Sequence, residues 1–297
     1  MHSDNIVEIK NLEHSYGKNK VLHGLSFNVR KGSIFGLLGK NGAGKTTSIN
    51  IMMGFLRPDS GSCLILGEEA HSLSSDAKRK IGLLHEGHLS YEFLSIAETE
   101  EFYEGFYPAW DSDVYNDMIN KLKLKRTHKI KNMSCGQRSQ VALAVLMAQG
   151  AEILILDDFS MGLDAGYRRL FLDMLTHYSK QLNKTVMITS HIVQDLERFV
   201  DDALIIEKGV VLKKAPIGEL KQGLNKFFFC ADSLLSNMDA MDFVHDYSVL
   251  NRGYEIVTGL DADKTAERLS CLTSGMTGFE QRELSLEDAF IALTGKY

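Results

Sequence analysis

The 297-residue chain is long enough for one large domain and a small second one. A formal net charge of −6 argues against a nucleic-acid-binding surface, and the four cysteines form no CxxC pair, so we expect free thiols rather than a disulfide or a structural zinc site. The longest unbroken apolar run, residues 141–148, is too short to cross a membrane, so we expect a chain that is soluble when expressed alone.

The first part of the chain alternates between strand-like and helical patterns. Residues Ile6–Lys10, Gly24–Val29 and Ser62–Gly67 have the pattern of strands. The apolar run Ser33–Leu38 predicts a further strand, and Thr46–Phe55 predicts the helix that follows it. The intervening residues are therefore expected to form a loop that leads from a strand into the start of a helix.

The loop sequence Gly39–Thr46, GKNGAGKT, fits the phosphate-binding pattern G-x-x-x-x-G-K-[ST]. Its glycines allow backbone N–H groups to surround phosphate oxygens, and the helix start adds partial positive charge. Lys45 would reach the outer phosphates, and the Thr46 hydroxyl would ligate Mg²⁺. The pattern predicts that the chain binds a nucleoside triphosphate. The predicted binding residues of this segment are Gly39, Asn41, Gly42, Ala43, Gly44, Lys45, Thr46 and Thr47.

The middle of the chain predicts an α/β protein with a parallel sheet. Residues 90–132 have a helical pattern, with apolar residues spaced for buried faces. The fully apolar run Ile153–Leu156 ends in two acidic residues, as a buried parallel strand would. Two more strands, Val186–Ser190 and Ala203–Ile206, flank a helix predicted at about 192–199. Strands that alternate with helices indicate a parallel sheet.

After Gly223 the pattern changes to that of a small α+β region. Residues Phe227–Phe229 and Tyr254–Val257 have the pattern of strands, and Asp263–Leu272 has that of a helix. We therefore predict a nucleotide-binding domain over residues 1–222, with a helical subdomain at about 88–150, and a small accessory domain over 223–297. The role of this accessory domain stays open between dimerisation, contact with a partner and sensing of a ligand.

Several motifs follow the phosphate loop in a fixed order. They are Met133–Gln137 (MSCGQ), the strand that ends in Asp157 and Asp158, Met161–Asp164 (MGLD), and Ser190–His191. In this order, over about residues 6–221, the chain resembles the ATP-binding subunits of ABC transporters. Residues 107–111 and 284–290 are most similar to single-domain subunits of bacterial ABC-2-type exporters. The resemblance implies a P-loop NTPase core, an N-terminal antiparallel β subdomain, a helical signature subdomain and a small C-terminal α+β domain.

The resemblance also implies roles for residues around ATP. Tyr16 would stack on adenine, although it could instead be a structural turn tyrosine before Gly17. Asp157 would hold Mg²⁺ through water, together with Thr46. His191 would contact the γ-phosphate, and Asp164 would couple the two sites of a dimer. The signature residues Ser134, Gly136 and Gln137 belong to the surface that contacts the γ-phosphate on the partner subunit.

Three residues depart from the family pattern. Cys135 replaces a signature glycine; its side chain either crowds the partner's phosphate loop or points away, and we expect the second. Glu86 stands where many members carry the glutamine that reaches Mg²⁺ and the attacking water, so we assign it a catalytic and metal-contacting role, with an exposed loop acid as the alternative. Asp158 replaces the usual glutamate base. Because aspartate is one methylene shorter, we expect slow hydrolysis with nearly intact ATP binding.

The implied function is ATP hydrolysis that drives export through a separate integral-membrane permease. ATP would close a head-to-tail homodimer, or a heterodimer with a similar subunit, at the cytoplasmic face of the cell membrane, and the permease would dock near Glu86–Leu94. The alternative is a nucleotide-gated regulatory module that does not hydrolyse ATP. A chromosome-maintenance ATPase would need a long coiled-coil insertion and a translation ATPase a second cassette, so both are disfavoured. A metal site at His85, Glu86 and His88 is also disfavoured.

Overall fold

The computed structural model describes residues 4–85, 91–160, 162–190, 192–231, 238, 241–251, 253–273 and 275–295. The chain divides into two units, Met1–Val211 and Leu212–Tyr297. The element bounds below refer to these described residues.

An antiparallel sheet opens the first unit. Its strand order is β2-β1-β4-β5, with β1 at Asn5–Tyr16, β2 at Asn19–Arg30, β4 at Ser60–Ile65 and β5 at Glu68–Glu69. In β1 the side chains of Val7 and Ile9 are buried while Lys10 is exposed, which is the alternation that predicted the strand. This sheet corresponds to the N-terminal antiparallel β subdomain predicted from the sequence.

The second sheet has parallel strands at its centre. Its order is β10-β9-β3-β8-β7-β6, and β3 pairs in parallel with β8 and β9, as β7 does with β6 and β8. The strands are β3 (Ile34–Leu38), β6 (Ile81–Leu84), β7 (Ile153–Leu156), β8 (Thr185–Ser190), β9 (Asp202–Glu207) and β10 (Val210–Pro216). Every residue of β3, β7 and β8 is buried, as expected for strands covered on both faces. The carboxyl ends of these three strands meet at one edge.

Helices flank this sheet, and those between residues 96 and 148 lie in the segment predicted as the helical subdomain. They are α1 (Lys45–Met52), α2 (Ser75–Arg79), α3 (Ile96–Glu104), α4 (Ser112–Asn120), α5 (Cys135–Ala148), α6 (Ala165–Gln181) and α7 (Val193–Leu196). The helical pattern of residues 90–132 is divided between α3 and α4. The division arises because Ser95 and Asp111 each cap a new helix, and Pro108 lies between the two.

The second unit is α+β. Its antiparallel sheet has the order β12-β13-β11-β14, and two helices complete it. The elements are β11 (Asn225–Cys230), β12 (Val244–Leu250), β13 (Gly253–Thr258), α8 (Ala262–Ser270), β14 (Thr277–Arg282) and α9 (Leu286–Thr294). Its core includes Phe227, Phe229, Ile256 and Leu269, all fully buried. The α/β class with a small C-terminal α+β region is as the sequence predicted.

Candidate nucleotide-binding site

The phosphate loop connects the end of β3 to the start of α1, and close approaches require glycine at two of its positions. Gly44 caps α1 with φ of 106°, and a Cβ there would lie 2.7 Å from Leu22 Cδ2. A Cβ at Gly39 would lie 2.7 Å from the carbonyl oxygen of Ile206. Gly42 differs, because it has φ of 80° and no heavy atom within 4 Å of its Cβ position. The loop is therefore packed tightly on its inner side and open at Gly42.

Lys45 lies folded across this loop. Its side chain is buried, and Nζ donates hydrogen bonds to the carbonyl oxygens of Gly39 at 2.6 Å and Lys40 at 3.0 Å. The ammonium is thus held inside the ring of loop backbone, at the N-terminus of α1. A buried cation beside a helix N-terminus provides a favourable environment for phosphate oxygens.

A cavity of about 540 Å³ joins the phosphate loop to the acidic pair that follows β7. Such a volume lies in the range of small-molecule sites. Of the predicted residues, Asn41, Gly42, Gly44, Lys45, Thr46, Thr47, Asp157 and Asp158 line it. Asn19 and Val21 of β2 also line it, and the sequence reasoning did not assign them. They arrive from a strand of the antiparallel sheet, so the signal for them was tertiary rather than local.

The carboxylates of Asp157 and Asp158 are held by hydroxyl groups. Asp157 is 2% exposed, and its Oδ1 accepts a hydrogen bond from Thr189 Oγ1 at 2.8 Å. The Asp158 N–H donates to the same Thr189 oxygen at 2.9 Å, and Asp158 has φ of 39°. The hydroxyl of Ser160 donates to Asp158 Oδ1 at 3.0 Å. Thr189 and Ser160 were missed by the sequence reasoning.

The chemistry of these donors fits Mg²⁺. The Thr46 hydroxyl and the Asp157 carboxylate line the same cavity, and both are hard oxygen ligands of the kind that Mg²⁺ takes together with water and substrate phosphates. Within the described residues, no cluster of three or more His, Cys, Asp or Glu side chains could hold a metal ion. The predicted residues Glu86 and His191 lie outside the described residues, as does His88 of the disfavoured metal site.

The signature residues lie at the start of α5 and do not line this cavity in the described structure. Ser134 caps α5: its side chain accepts from the Gln137 N–H at 3.2 Å, and Gln137 Oε1 accepts from the Ser134 N–H at 3.0 Å. A Cβ at Gly136 would overlap the Tyr167 ring, so glycine is required there. The signature therefore forms a capped helix start that is separate from the cavity lining.

Cys135 lies beside the loop that leads into α6. Its Sγ is 3.2 Å from the position that a Cβ of Gly162 would occupy. Asp164 caps α6, and its Oδ1 accepts from the Tyr167 N–H at 2.9 Å. Asp164 therefore holds the start of α6, whose Tyr167 in turn packs on the signature glycine. This contact joins the MGLD and MSCGQ segments within one chain.

Tyr16 lies at the end of β1, opposite Asn19 of the cavity lining. Its side chain is 48% exposed, and the ring of His14 packs against it edge-on, with 4.8 Å between centroids. An exposed aromatic ring at this position is available for stacking.

Residues 22–160 match the ABC transporter family. These residues form an ABC transporter ATP-binding domain. The match covers the phosphate loop, the signature and the acidic pair after β7, so it includes most of the cavity lining and the separate signature helix.

Two bacterial ATP-binding proteins are similar to this chain over nearly its whole length. It is 27% identical over 310 residues to Nod factor export ATP-binding protein I of Burkholderia lata, covering 98% of this chain and 97% of that protein. It is 28% identical over 299 residues to bacitracin transport ATP-binding protein BcrA of Bacillus licheniformis, again covering 98% and 97%.

Solved structures show the same fold. The structure of an ATP-binding subunit of an ABC transporter aligns with TM-score 0.65 and 22% identity, covering 73% of this chain and 92% of that one. A dimeric post-hydrolysis state of the ATP-binding cassette MJ0796 with ADP and Pi aligns with TM-score 0.61 and 22% identity, covering 71% and 98%. The P-loop NTPase core predicted from the sequence is thereby confirmed. None of the helices in the described parts of the chain has the length and apolar character to cross a bilayer.

Proposed function

We propose that this chain is the ATP-binding and ATP-hydrolysing subunit of a bacterial ABC exporter, which drives transport through a separate permease. The observation that carries the proposal is one cavity lined both by the phosphate loop and by the acidic pair Asp157 and Asp158. A phosphate-binding loop and carboxylates at the end of a parallel strand are the groups needed to hold and cleave Mg-ATP.

Four residues of the cavity lining have roles in this proposal. Lys45 binds the outer phosphates, and Thr46 with Asp157 holds Mg²⁺, which neutralises phosphate charge when bound. Asp158 orients the attacking water and accepts its proton. Tyr16 stacks on adenine at the rim of the cavity. Glu86 and His191 are proposed, from the resemblance alone, to contact the water and the γ-phosphate.

We further propose that two subunits form a head-to-tail dimer. The signature residues Ser134, Gly136 and Gln137 lie apart from the cavity, so a second subunit, identical or similar, would supply them to the bound ATP. The signature is at a helix N-terminus, which favours contact with a phosphate. The contact between Tyr167 and Gly136 then lets Asp164 couple the two sites.

The proposed partner is an integral-membrane permease at the cytoplasmic face of the membrane. Tyr91, Phe93, Phe102 and Phe106 form an aromatic surface whose neighbouring ring centroids are 4.9–5.9 Å apart. Phe93 is 68% exposed. Exposed acidic residues lie near members of this surface in sequence: Glu92 is next to Phe93, Glu101 is next to Phe102, and Glu104 is two residues before Phe106. Such a surface fits an apolar segment with basic flanks. Phe93→Ser should reduce co-purification with the permease, and undiminished co-purification would contradict this placement.

Export is proposed because one similar protein is named for Nod factor export, and a second is named for bacitracin transport.

ATP turnover measured against protein concentration tests the proposal, with Lys45→Ala as the control. We expect turnover that rises more than linearly with concentration and disappears in Lys45→Ala, because two subunits are needed to complete each site. Turnover that is linear with concentration would contradict the dimer. ATP binding without turnover, also in the presence of the permease, would favour the alternative function, a nucleotide-gated module.

That alternative is favoured by three features of Asp158. Asp158 is shorter than the usual glutamate, has a left-handed backbone conformation, and is hydrogen-bonded by Ser160. Each of these restricts the reach of its carboxylate toward a water in the cavity.

A further inference from the structure

A single buried hydroxyl, that of Thr189, connects the two carboxylate residues of the site. Its Oγ1 donates to Asp157 Oδ1 at 2.8 Å and accepts from the Asp158 N–H at 2.9 Å. Thr189 is fully buried, and Asp157 is nearly so. One side chain thus determines the orientation of one carboxylate and the backbone position of the next.

The sheet register explains why Thr189 can do this. Strands β7 and β8 pair in parallel, with Leu156 opposite Ile188, so the following residues, Asp157 and Thr189, are neighbours at the carboxyl edge. The hydrogen bond therefore comes from the scaffold rather than from a loop. Donors on strands hold a functional side chain more rigidly than donors on loops.

Two physical needs are met by this hydroxyl. A carboxylate buried to this degree needs a hydrogen-bond donor, and Thr189 provides one to Asp157. Asp158 has φ of 39°, a conformation that a residue with a Cβ adopts at a cost, and Thr189 accepts its N–H in that conformation. Loss of the hydroxyl would remove the side-chain donor that the described residues supply to Asp157 Oδ1, and would leave the turn at Asp158 less constrained.

We propose that Thr189 is a positioning residue for Mg²⁺ binding and for hydrolysis: it orients Asp157 toward the metal and holds Asp158 at the attacking water. The proposal rests on the proposed function of this site. It goes further by assigning the support of both carboxylate residues to one side chain that does not itself line the cavity. Groups that orient a metal ligand affect metal affinity or activity by roughly 10- to 100-fold when they are removed.

The test compares Thr189→Val with Thr189→Ser and with a control on the same strand. Valine has nearly the volume of threonine but lacks the hydroxyl, whereas serine keeps it. Thr185→Val is the matched control, because Thr185 is also fully buried in β8 and its hydroxyl accepts from the Gly32 N–H at 2.9 Å, at the other end of the strand. Thermal unfolding of each variant establishes that it is folded.

Two quantities are measured on the full chain: the MgCl₂ concentration that half-saturates binding of a fluorescent ATP analogue, and kcat with KM for ATP hydrolysis. We expect Thr189→Val to raise the half-saturating Mg²⁺ concentration roughly 10- to 100-fold and to lower kcat by a similar factor, with a smaller change in KM. Thr189→Ser should restore both values to within about threefold, and Thr185→Val should change neither.

A Thr189→Val variant that matches Thr185→Val in Mg²⁺ dependence would overturn the proposal. If the unmodified chain binds ATP but does not hydrolyse it, the proposed function fails, yet the Mg²⁺ titration still decides the role of Thr189. A loss that Thr189→Ser does not restore would also overturn it, because the effect would then come from packing rather than from the hydroxyl.

Discussion

The two units of this chain use charged side chains in different ways. In the first unit, Lys45, Asp157 and Asp158 line a cavity at the edge of a parallel sheet. In the second unit, Lys226 pairs with Glu255 and Asp288 at 3.2 Å each, between a strand and α9. Parallel strands bring the polar residues at their carboxyl ends to one edge of the sheet, where a ligand can reach them. The charged groups of the second unit instead pair with one another, so they stabilise the fold of that unit.

The pKa values in the second unit reflect this closed network. Burial opposes the charge of Lys226, but its hydrogen bonds to Glu255 and Asp288 outweigh burial and raise its pKa. Burial likewise opposes ionisation of Asp288, but hydrogen bonds from Ser285 and Lys226 outweigh it and lower the pKa of Asp288. Both groups are therefore charged at neutral pH and hold α9 to the sheet.

We expect the largest effect, on ATP turnover, from lengthening one side chain of the first unit by a methylene group. We expect Asp158→Glu to raise ATP turnover by roughly 10- to 100-fold with ATP binding unchanged, because the longer side chain reaches the attacking water. Single-turnover hydrolysis measures the effect, and Asp158→Asn, which lacks a base, should lower the rate. An unchanged or lower rate in Asp158→Glu would show that reach is not what limits hydrolysis.

A smaller effect, on stability alone, should follow a change in the second unit. The Lys226 side chain is 17% exposed, and Lys226→Met leaves Asp288 without this cation and Glu255 with Arg282 as its remaining ion-pair partner. We expect the free energy of unfolding of this unit to fall by about 1–3 kcal/mol, measured by urea denaturation, with ATP turnover unchanged. Lys264→Met, which removes an exposed ion pair with Asp261, is the control and should have little effect. A loss of ATP turnover in Lys226→Met would contradict the expectation that charges of the second unit act on stability alone.

The smallest effect concerns acid stability of the helical subdomain. The Nζ of Lys129 and the capping contacts of Ser95 lower the pKa of Glu98 from 4.5 to about 2. Because this pKa is lower in the folded state, the contribution of Glu98 to stability is complete above about pH 4.5 and is lost as the pH falls toward 2. Glu98→Gln should therefore reduce stability at pH 7 and flatten its decline over that acid range.

Denaturation of Glu98→Gln at several pH values measures this, with Glu101→Gln, an exposed acid of the same helix, as the control. An unaltered pH profile in Glu98→Gln would mean that the exposed ion pair with Lys129 is screened by solvent.

The phosphate loop, the acidic pair, the α/β class and the small C-terminal α+β region were all predictable from the sequence. The loop could be predicted because its chemistry needs glycines, a lysine and a threonine at a fixed local spacing, all within Gly39–Thr46. The acidic pair could be predicted because a fully apolar strand directly precedes it. Local spacing and periodicity are properties of the chain itself, so they can be read without a fold.

The contacts between distant segments were decided only by the tertiary structure. Thr189 reaches Asp157 because two parallel strands share a register, Val21 lines the cavity because a strand of the other sheet passes beside the phosphate loop, and Tyr167 covers Gly136 where two helices begin together. No local spacing encodes these pairs. The sequence determined which groups bind phosphate, and packing of the sheet and helices decided which side chains hold those groups in place.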